Sequence, residues 1–494
     1  MVEEFSRRDF LRQGAVVGAA AVAVTASSSV AFARGSETVA GPRIVIVGAG
    51  LAGLSCAYRL QQAGLGCTVY EANPKRIGGR CWTARDFEHG QTAEHGGEFI
   101  DTRHRRIRAL AQGFGLELKD LYGEPIGGSG RRWLDGALRA APRHRSDWQT
   151  FQREIHRTAR RIGRWDYRNP TRAARALDEM TAADWVDAHV PGGMGGVAGG
   201  LIGVWLAGDL GLDPDKLSAI GLIAEWVVPA PGADERYSIR GGNDQLVTRL
   251  AGSLPDGTVR MDAPLERLSK RSDGTYEMRF GGLAKAVRAD HLVLALPFTT
   301  LREVDLSGAG FSRKRLECIQ RLGMGTNAKV LMQLEQPPQR YGRWSGDMVS
   351  DDPYLFTWDS TLRQPGQGSI ITTFLGGRSG AGGLPATRAH GPSPQAVIQG
   401  TFRDVSRGGA TRIPGLRDGF NGSTWTDKWV LDPWTRGSYA SFLPGQYTRY
   451  YGYAGRSEGH VRFAGEHTQT DAQGYLEGAV ASGEKAAASI LAET

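Results

Sequence analysis

The stretch RIVIVGAGLAGLSCAYRLQQAGLGCTVYEA (Arg43–Ala72) decides the fold. The apolar run Ile44–Val47 passes without a break into Gly48-x-Gly50-x-x-Gly53. A helix-length segment follows, then a second short run, Cys67–Tyr70, that stops at Glu71. Short continuous apolar runs bounded by glycine read as strands buried on both faces, and the segment between them reads as the crossover helix of a β–α–β unit. Each glycine has a separate task. Gly48 permits the tight turn, Gly50 lets a pyrophosphate approach the backbone, and Gly53 lets the helix close on the strand. Unpaired N–H groups at the start of that helix face the phosphates. Glu71 stands eighteen residues beyond Gly53, where a carboxylate can accept hydrogen bonds from ribose hydroxyls. The fold class predicted is α/β with a Rossmann-like domain. The fingerprint itself does not separate FAD from NAD.

Working outward, the chain has 494 residues, more than one hydrophobic core accommodates, and its 40% hydrophobic and 23% charged residues are those of a soluble globular protein. Ahead of the first strand, Ser6-Arg7-Arg8-Asp9-Phe10-Leu11 leads into an uncharged segment, Gly14–Phe32, that closes on Ala31-Phe32-Ala33. A basic flank, a mild apolar core and small residues at a cleavage site predict a removable twin-arginine export signal over 1–33. The mature chain would then start near Arg34, secreted or periplasmic, with no stable membrane anchor, because no other uncharged stretch is long enough to span a bilayer.

The formal net charge of +8 raises the question of nucleic acid. Between Arg131 and Arg175, however, Trp148, Phe151, Ile155, Ile162 and Trp165 recur at helical spacing with arginines between them. The pattern predicts an amphipathic helix with a solvated basic face, and no nucleic-acid partner. Cys56, Cys67, Cys81 and Cys318 have neither zinc-site nor CxxC spacing, so no metal is expected, and disulfide pairing stays open. Cys56 and Cys67 read as small core residues. Further on, HLVLALP (His291–Pro297) and VRFAGEH (Val461–His467) read as strands and GYLEGAVASGEKAAASIL (Gly474–Leu491) as a helix. Helices are expected from about Trp148 to Trp226, one starting at a Thr181/Asp184 capping box, and Gly376–Pro394 reads as a surface loop.

After the second strand comes NPKRIGGRCW (Asn73–Trp82), in which Gly78-Gly79-Arg80 can bring backbone and guanidinium to a phosphate. Here the chain resembles the flavin amine oxidase family, which contains monoamine oxidases, polyamine oxidases and L-amino-acid oxidases. The resemblance covers nearly the whole mature chain. Its landmarks follow in order: AEHGGEFID (Ala93–Asp101), IRGGNDQL (Ile239–Leu246), LALP (Leu294–Pro297), MGTNAKV (Met324–Val330), WTRGSY (Trp434–Tyr439) and FAGEHTQTDAQGYLEGAV (Phe463–Val480). It implies an FAD-binding domain of amine oxidase type assembled from 43–135, 236–300 and 420–494, and a second, α+β substrate-binding domain from 136–235 and 301–419. It also implies contacts to FAD from Gly48, Gly50, Gly53, Glu71, Gly79, Arg80, Gly96, Gly97, Glu98, Gly465 and Glu466, and from the backbone of Leu265 in APLERL.

The activity implied is oxidative deamination of a primary or secondary amine, mono- or polyamine, by hydride transfer to flavin N5, with O2 reduced to H2O2. Lys329 matches the family's lysine that holds a water at N5. Tyr439 and Tyr475 match the aromatic pair that flanks the amine. Three departures refine this. Ser438 replaces the flavin-linking cysteine of monoamine oxidases, so FAD is expected to be noncovalent. Phe99 stands where L-amino-acid oxidases carry a carboxylate-binding arginine, although Arg103 or Arg240 could substitute. Asp101 stands where plant-type polyamine oxidases carry a glutamate, with Glu98 near it, and acids at a tunnel mouth would draw cationic amines to the substrate site. An L-amino-acid oxidase with a relocated anchor, a flavin desaturase, and a flavoprotein that only binds remain as alternatives. Oligomeric state stays open, a homodimer among the options.

Overall fold

A computed structural model describes residues 41–123, 127–134, 137–138, 146–228, 231–351, 355–406, 413 and 415–494. The proposed export signal, 1–33, lies outside the described residues. None of the described helices is long and apolar enough to cross a membrane.

The Arg43–Ala72 segment folds as its pattern predicts. Strand Ile44–Val47, helix Leu51–Gln62 and strand Thr68–Tyr70 form the β–α–β unit. The two strands are the centre of a five-stranded parallel sheet, ordered Val461–Phe463, His291–Leu294, Ile44–Val47, Thr68–Tyr70, Val259–Arg260. Sheet neighbours therefore come from segments some 250 and 170 residues apart in the numbering, and all four residues of Ile44–Val47 are buried, as a parallel sheet covered on both faces requires. Helix Leu51–Gln62 packs on the C-terminal helix Leu476–Leu491, and the two touch so closely that a Cβ on Gly483 would lie 2.1 Å from the carbonyl oxygen of Ala52.

A second sheet has eight strands, ordered His390–Gly391, Phe420–Lys428, Ala328–Leu334, Ser369–Leu375, Phe356–Asp359, Trp344–Ser350, Ser129–Leu134 and Ala137–Leu138. Two of its members, Ser129–Leu134 and Phe420–Lys428, come from segments that sequence grouping places with the dinucleotide-binding part. Strand Ala328–Leu334 is interior to this sheet, between Ser369–Leu375 and Phe420–Lys428, and is buried along its whole length. A four-stranded sheet, Val287–Ala289, Tyr276–Phe280, Leu265–Lys270 and Asp305–Gly308, lies beside the five-stranded one.

The helical layer matches its periodicity. In Ser146–Ile162 the buried residues are Trp148, Phe151, Ile155 and Ile162, while Arg153, Arg157, Arg160 and Arg161 face water. Thr181 and Asp184 exchange the two hydrogen bonds of a capping box at the start of Ala182–His189. Segment 376–394 departs from the surface-loop expectation. It holds a short helical turn, Ser379–Gly383, and strand His390–Gly391, with Leu384 and Ala386 buried. The reason is a contact distant in sequence: the carbonyl of Leu384 accepts a hydrogen bond from the Lys428 ammonium, and His390 is drawn into a buried charge cluster.

Candidate active site

One cavity of about 910 Å³ reaches from the first β–α turn to the substrate side of the molecule. Gly48, Gly50, Glu71, Gly79, Arg80, Leu265, Gly465 and Glu466 line it toward the five-stranded sheet, and Lys329, Tyr439 and Tyr475 line it toward the other side, with Gly96, Gly97, Glu98, Phe99 and Asp101 between. Of the cofactor, catalytic and substrate positions assigned from the family motifs, all but Gly53 therefore stand around one space, and Gly53 acts from behind. A Cβ on Gly53 would fall 1.9 Å from the carbonyl oxygen of Gly48, so only glycine lets the helix start this close to the turn. Gly48 itself has φ +102°, and a Cβ at Gly50 would meet nothing nearer than 3.9 Å, which leaves the helix N-terminus open to a phosphate.

Several of these side chains are held by each other. Glu71 is anchored by the backbone N–H groups of Ala49 and Asn73, each at 2.8 Å, which fixes its carboxylate at the end of the strand. The Arg80 guanidinium donates to Glu466 at 2.8 Å and to the carbonyl of Ser438, joining the GGR loop to the C-terminal motif. The N–H of Gly465 donates to Ser482 at 2.8 Å. Asn243 donates to the carbonyls of Gly97 and Glu98 and so fixes the loop between the cavity's two ends.

Lys329 is 4% exposed and far from isolated. Its ammonium donates to the carbonyls of Glu94 and Gly96 and to Glu98 Oε2, each at 2.9 Å, which uses all three N–H bonds. The other oxygen of Glu98 accepts from Trp358 Nε1 at 3.0 Å and Ser360 Oγ at 2.9 Å. Burial alone would raise the Glu98 carboxyl, but the Lys329 ammonium and these donors outweigh it and hold the group below the usual range. Glu98 is thus the buried counter-ion of Lys329, not an acid at a tunnel mouth. Asp101 is also buried, at 1% exposure: it accepts from the backbone N–H of Glu235 at 2.8 Å and from Arg103 Nε at 3.2 Å.

Ser438 Oγ donates to Asn327 at 2.6 Å. Cys81 is the cysteine that lines the cavity, and burial pushes its thiol well above the ordinary value, so it stays protonated. All four cysteines are free. Tyr439 donates to the carbonyl of Gly208 at 2.9 Å, and its ring lies 3.7 Å from where a Gly474 Cβ would be, beside Tyr475. The Tyr475 hydroxyl reaches Glu235 Oε1 at 3.5 Å, and its ring meets the His104 ring edge-on at 5.0 Å. Phe99 sits 5.5 Å from Trp358. Arg240, one of the substitute anchors, is not on the cavity and pairs with Glu117 at 2.8 Å; Arg103 is on it but is engaged by Asp101 and the carbonyl of Asp471.

Sequence reading missed Asp209, Glu225 and Glu235, which join Asp101 and Asp471 as acids on the substrate side of the cavity. No motif announces them. Glu235 is the one with a backbone sign, φ +48°, a left-handed conformation rarely held by a glutamate and kept here by the Asp101 bond to its N–H.

The residues present fit an FAD: a glycine turn open at a helix N-terminus, an acid at the end of the second strand, and a continuous cavity onward to a lysine and two tyrosines. Comparison with known proteins agrees. The profile of the family described as flavin containing amine oxidoreductase matches residues 51–491. An L-amino-acid oxidase of Siganus canaliculatus is 25% identical, covering 91% of this chain and 85% of its own length. A pseudooxynicotine dehydrogenase of a Pseudomonas species is 22% identical over 97% of this chain and 94% of its own. Among solved structures, cyclohexylamine oxidase from Brevibacterium oxydans shares the fold with a TM-score of 0.78 at 22% identity, over 92% of this chain and 99% of its own.

Proposed function

The chain belongs to the family of flavin-containing amine oxidoreductases and is an FAD enzyme, and on that premise we propose that it deaminates a primary or secondary amine, with a second positive charge on the substrate favoured. The observation that carries this reading is the sign of the substrate wall. Asp209, Glu225, Glu235 and Asp471 line the same cavity as Tyr439 and Tyr475, Phe99 occupies the position where L-amino-acid oxidases carry a carboxylate-binding arginine, and Arg103 is already engaged by an acid. An acidic, partly desolvated wall attracts an ammonium and repels an α-carboxylate.

In this reading the amine enters as a cation and reaches the slot beside Tyr439 and Tyr475, whose apolar faces favour the neutral form able to give up a hydride. FAD, held along Gly48, Gly50, Glu71, Arg80 and Glu466, would supply the acceptor for that hydride and the route of the electron pair to O2. Glu235 positions Tyr475 through its hydroxyl, and Gly208 positions Tyr439. Lys329 supplies a fixed positive charge; since its three N–H bonds are committed, it holds a water only by sharing one of them. The imine product is hydrolysed to a carbonyl compound and ammonia or a smaller amine. With Ser438 bound to Asn327 and no reactive thiol, FAD is held noncovalently. Residues 1–33 carry the folded, FAD-loaded protein out of the cytoplasm by the twin-arginine route.

The test is peroxide release over a panel of mono-, di- and polyamines and L-amino acids. Turnover of diamines above monoamines of equal length is the expected result. Turnover of amino acids without their decarboxylated amines establishes the relocated-anchor alternative instead.

A further inference from the structure

Next to the Lys329 wall lies a cluster of buried ionisable side chains that the reading above leaves unused. His95 stands between Glu94 and Gly96, whose carbonyls hold Lys329, and it lines the cavity at 3% exposure. Its Nδ1 is 2.9 Å from Asp427 Oδ2. The other oxygen of Asp427 is 2.7 Å from Nδ1 of His390, and Nε2 of His390 is 2.9 Å from Asp432 Oδ2. Two short hydrogen bonds thus link the cavity wall, through a fully buried carboxylate, to an imidazole whose side chain is 14% exposed, and a third runs on to Asp432.

Aromatic rings sheathe the chain. Trp82 lies against His95 with ring centroids 3.7 Å apart and planes tilted by 30°, and meets His390 edge-on at 5.2 Å; Trp429 lies 4.7 Å from His390, and Trp425 Nε1 donates to Asp427 at 3.2 Å. The Arg76 guanidinium covers the far end, 4.3 Å from the Trp82 ring and 3.9 Å from Asp432. Burial pulls the His390 imidazole down, but the hydrogen bonds to Asp427 and Asp432 outweigh it and raise the group; for both carboxylates burial acts upward and the imidazoles outweigh it. His390 between two carboxylates is therefore held in its charged form, and His95 is the next imidazole toward the cavity.

We propose that His95, Asp427, His390 and Asp432 form a proton store for the oxidation, holding between its two halves the proton that the amine sheds. This rests on the amine-oxidase reading with O2 as acceptor. The bookkeeping of atoms requires such a place. RCH2–NH3+ first loses a proton from nitrogen. The C–H bond then breaks with loss of a hydride, leaving RCH=NH2+. O2 takes that electron pair and hydrogen, plus one proton, to become H2O2. The sum, RCH2–NH3+ plus O2 giving RCH=NH2+ plus H2O2, balances with no net proton, but the proton leaves in the first half and is needed in the second. Alternating imidazoles and carboxylates, hydrogen-bonded from the cavity to a far end covered by Arg76 and shielded from water between, can take it up at one end and return it.

The decisive measurement is proton release on anaerobic mixing of the FAD-loaded enzyme with a substrate amine, in weakly buffered solution with a pH indicator, per flavin bleached. The wild type releases well under a full proton; H390Q and D427N release close to one. A full proton from the wild type, or equal release from all three, overturns the proposal. A second readout needs no turnover. Trp82 touches both imidazoles, so protonation within the chain changes its emission, the fluorescence difference between wild type and W82F titrates with pH, and H390Q shifts its midpoint; a midpoint unmoved by H390Q overturns the link. If D427N does not fold, H390Q, altered at the partly exposed residue, decides both measurements. Failure of every amine to bleach the flavin sinks the amine reading itself, and the fluorescence titration still decides whether the chain is coupled.

Discussion

Lys329 illustrates what one residue owes to its partners. An ammonium in an apolar strand is costly unless paired, and its pair, Glu98, lies 231 positions away in sequence. Breaking a buried pair leaves an uncompensated charge, so Glu98→Ala should cost about 3–5 kcal/mol in urea unfolding. At the tyrosines the prediction is kinetic. Tyr475→Ala and Tyr439→Ala should each lower kcat/KM for the preferred amine by about tenfold or more, equivalent to ~1.4 kcal/mol of transition-state stabilisation, while FAD content is retained. A desaturase acting on an apolar substrate would show no such selective loss. His104 carries a pH signature. Its Nδ1 accepts the Asp101 N–H, and burial pushes the imidazole from the ordinary 6.5 down to about 3. Unfolded, the group binds a proton below 6.5; folded, it does not until about 3. Its contribution to stability is therefore complete above 6.5 and lost as pH falls through that window. His104→Gln should flatten this acid branch, measured as Tm against pH.

At the scale of elements, the β–α–β unit stands or falls with its close contacts. Gly53→Ala places a methyl 1.9 Å from the Gly48 carbonyl oxygen, so the helix must move off the turn and FAD retention should be lost. Gly200 is the matched control. It lies in helix Val197–Asp209 with nothing within 4 Å of a Cβ, so Gly200→Ala should raise stability by about 0.5–1 kcal/mol and leave flavin content unchanged. Elements were legible where local pattern suffices: strands Ile44–Val47 and His291–Leu294 by their apolar runs, Ser146–Ile162 by its 3.6-residue period, the Thr181 cap by its spacing. Segment 376–394 was not, because glycine and proline describe a backbone without order of its own, and what orders it is Lys428 and Asp427 on a neighbouring strand.

At the scale of the whole molecule, the cavity is assembled from the first turn near residue 48 to Tyr475, so no part of the chain can hold FAD alone. FAD binding is then linked to folding. Stripping the flavin should lower Tm, and returning it at about 100 times its Kd should restore ~2.7 kcal/mol. Acid precipitation should leave the flavin in the supernatant. The same assembly bears on the export signal proposed for 1–33: a cofactor gripped by so many segments is loaded only after folding, and a twin-arginine route would carry the folded protein. Changing Arg7 and Arg8 to Lys should leave active enzyme in the cytoplasmic fraction.

By itself the sequence determined the β–α–β unit, the family, and a set of residues that meet at one cavity, because strand burial, helix period and glycine at close approaches are local requirements written at fixed spacing. Tertiary structure alone decided which groups pair. Glu98 with Lys329, Arg80 with Glu466, Asp101 with the strained Glu235, and His95 with Asp427 and His390 are contacts between distant segments. A buried charge is acceptable in the presence of its partner and costly without it, and that partner is chosen by how the sheets pack rather than by neighbours along the chain.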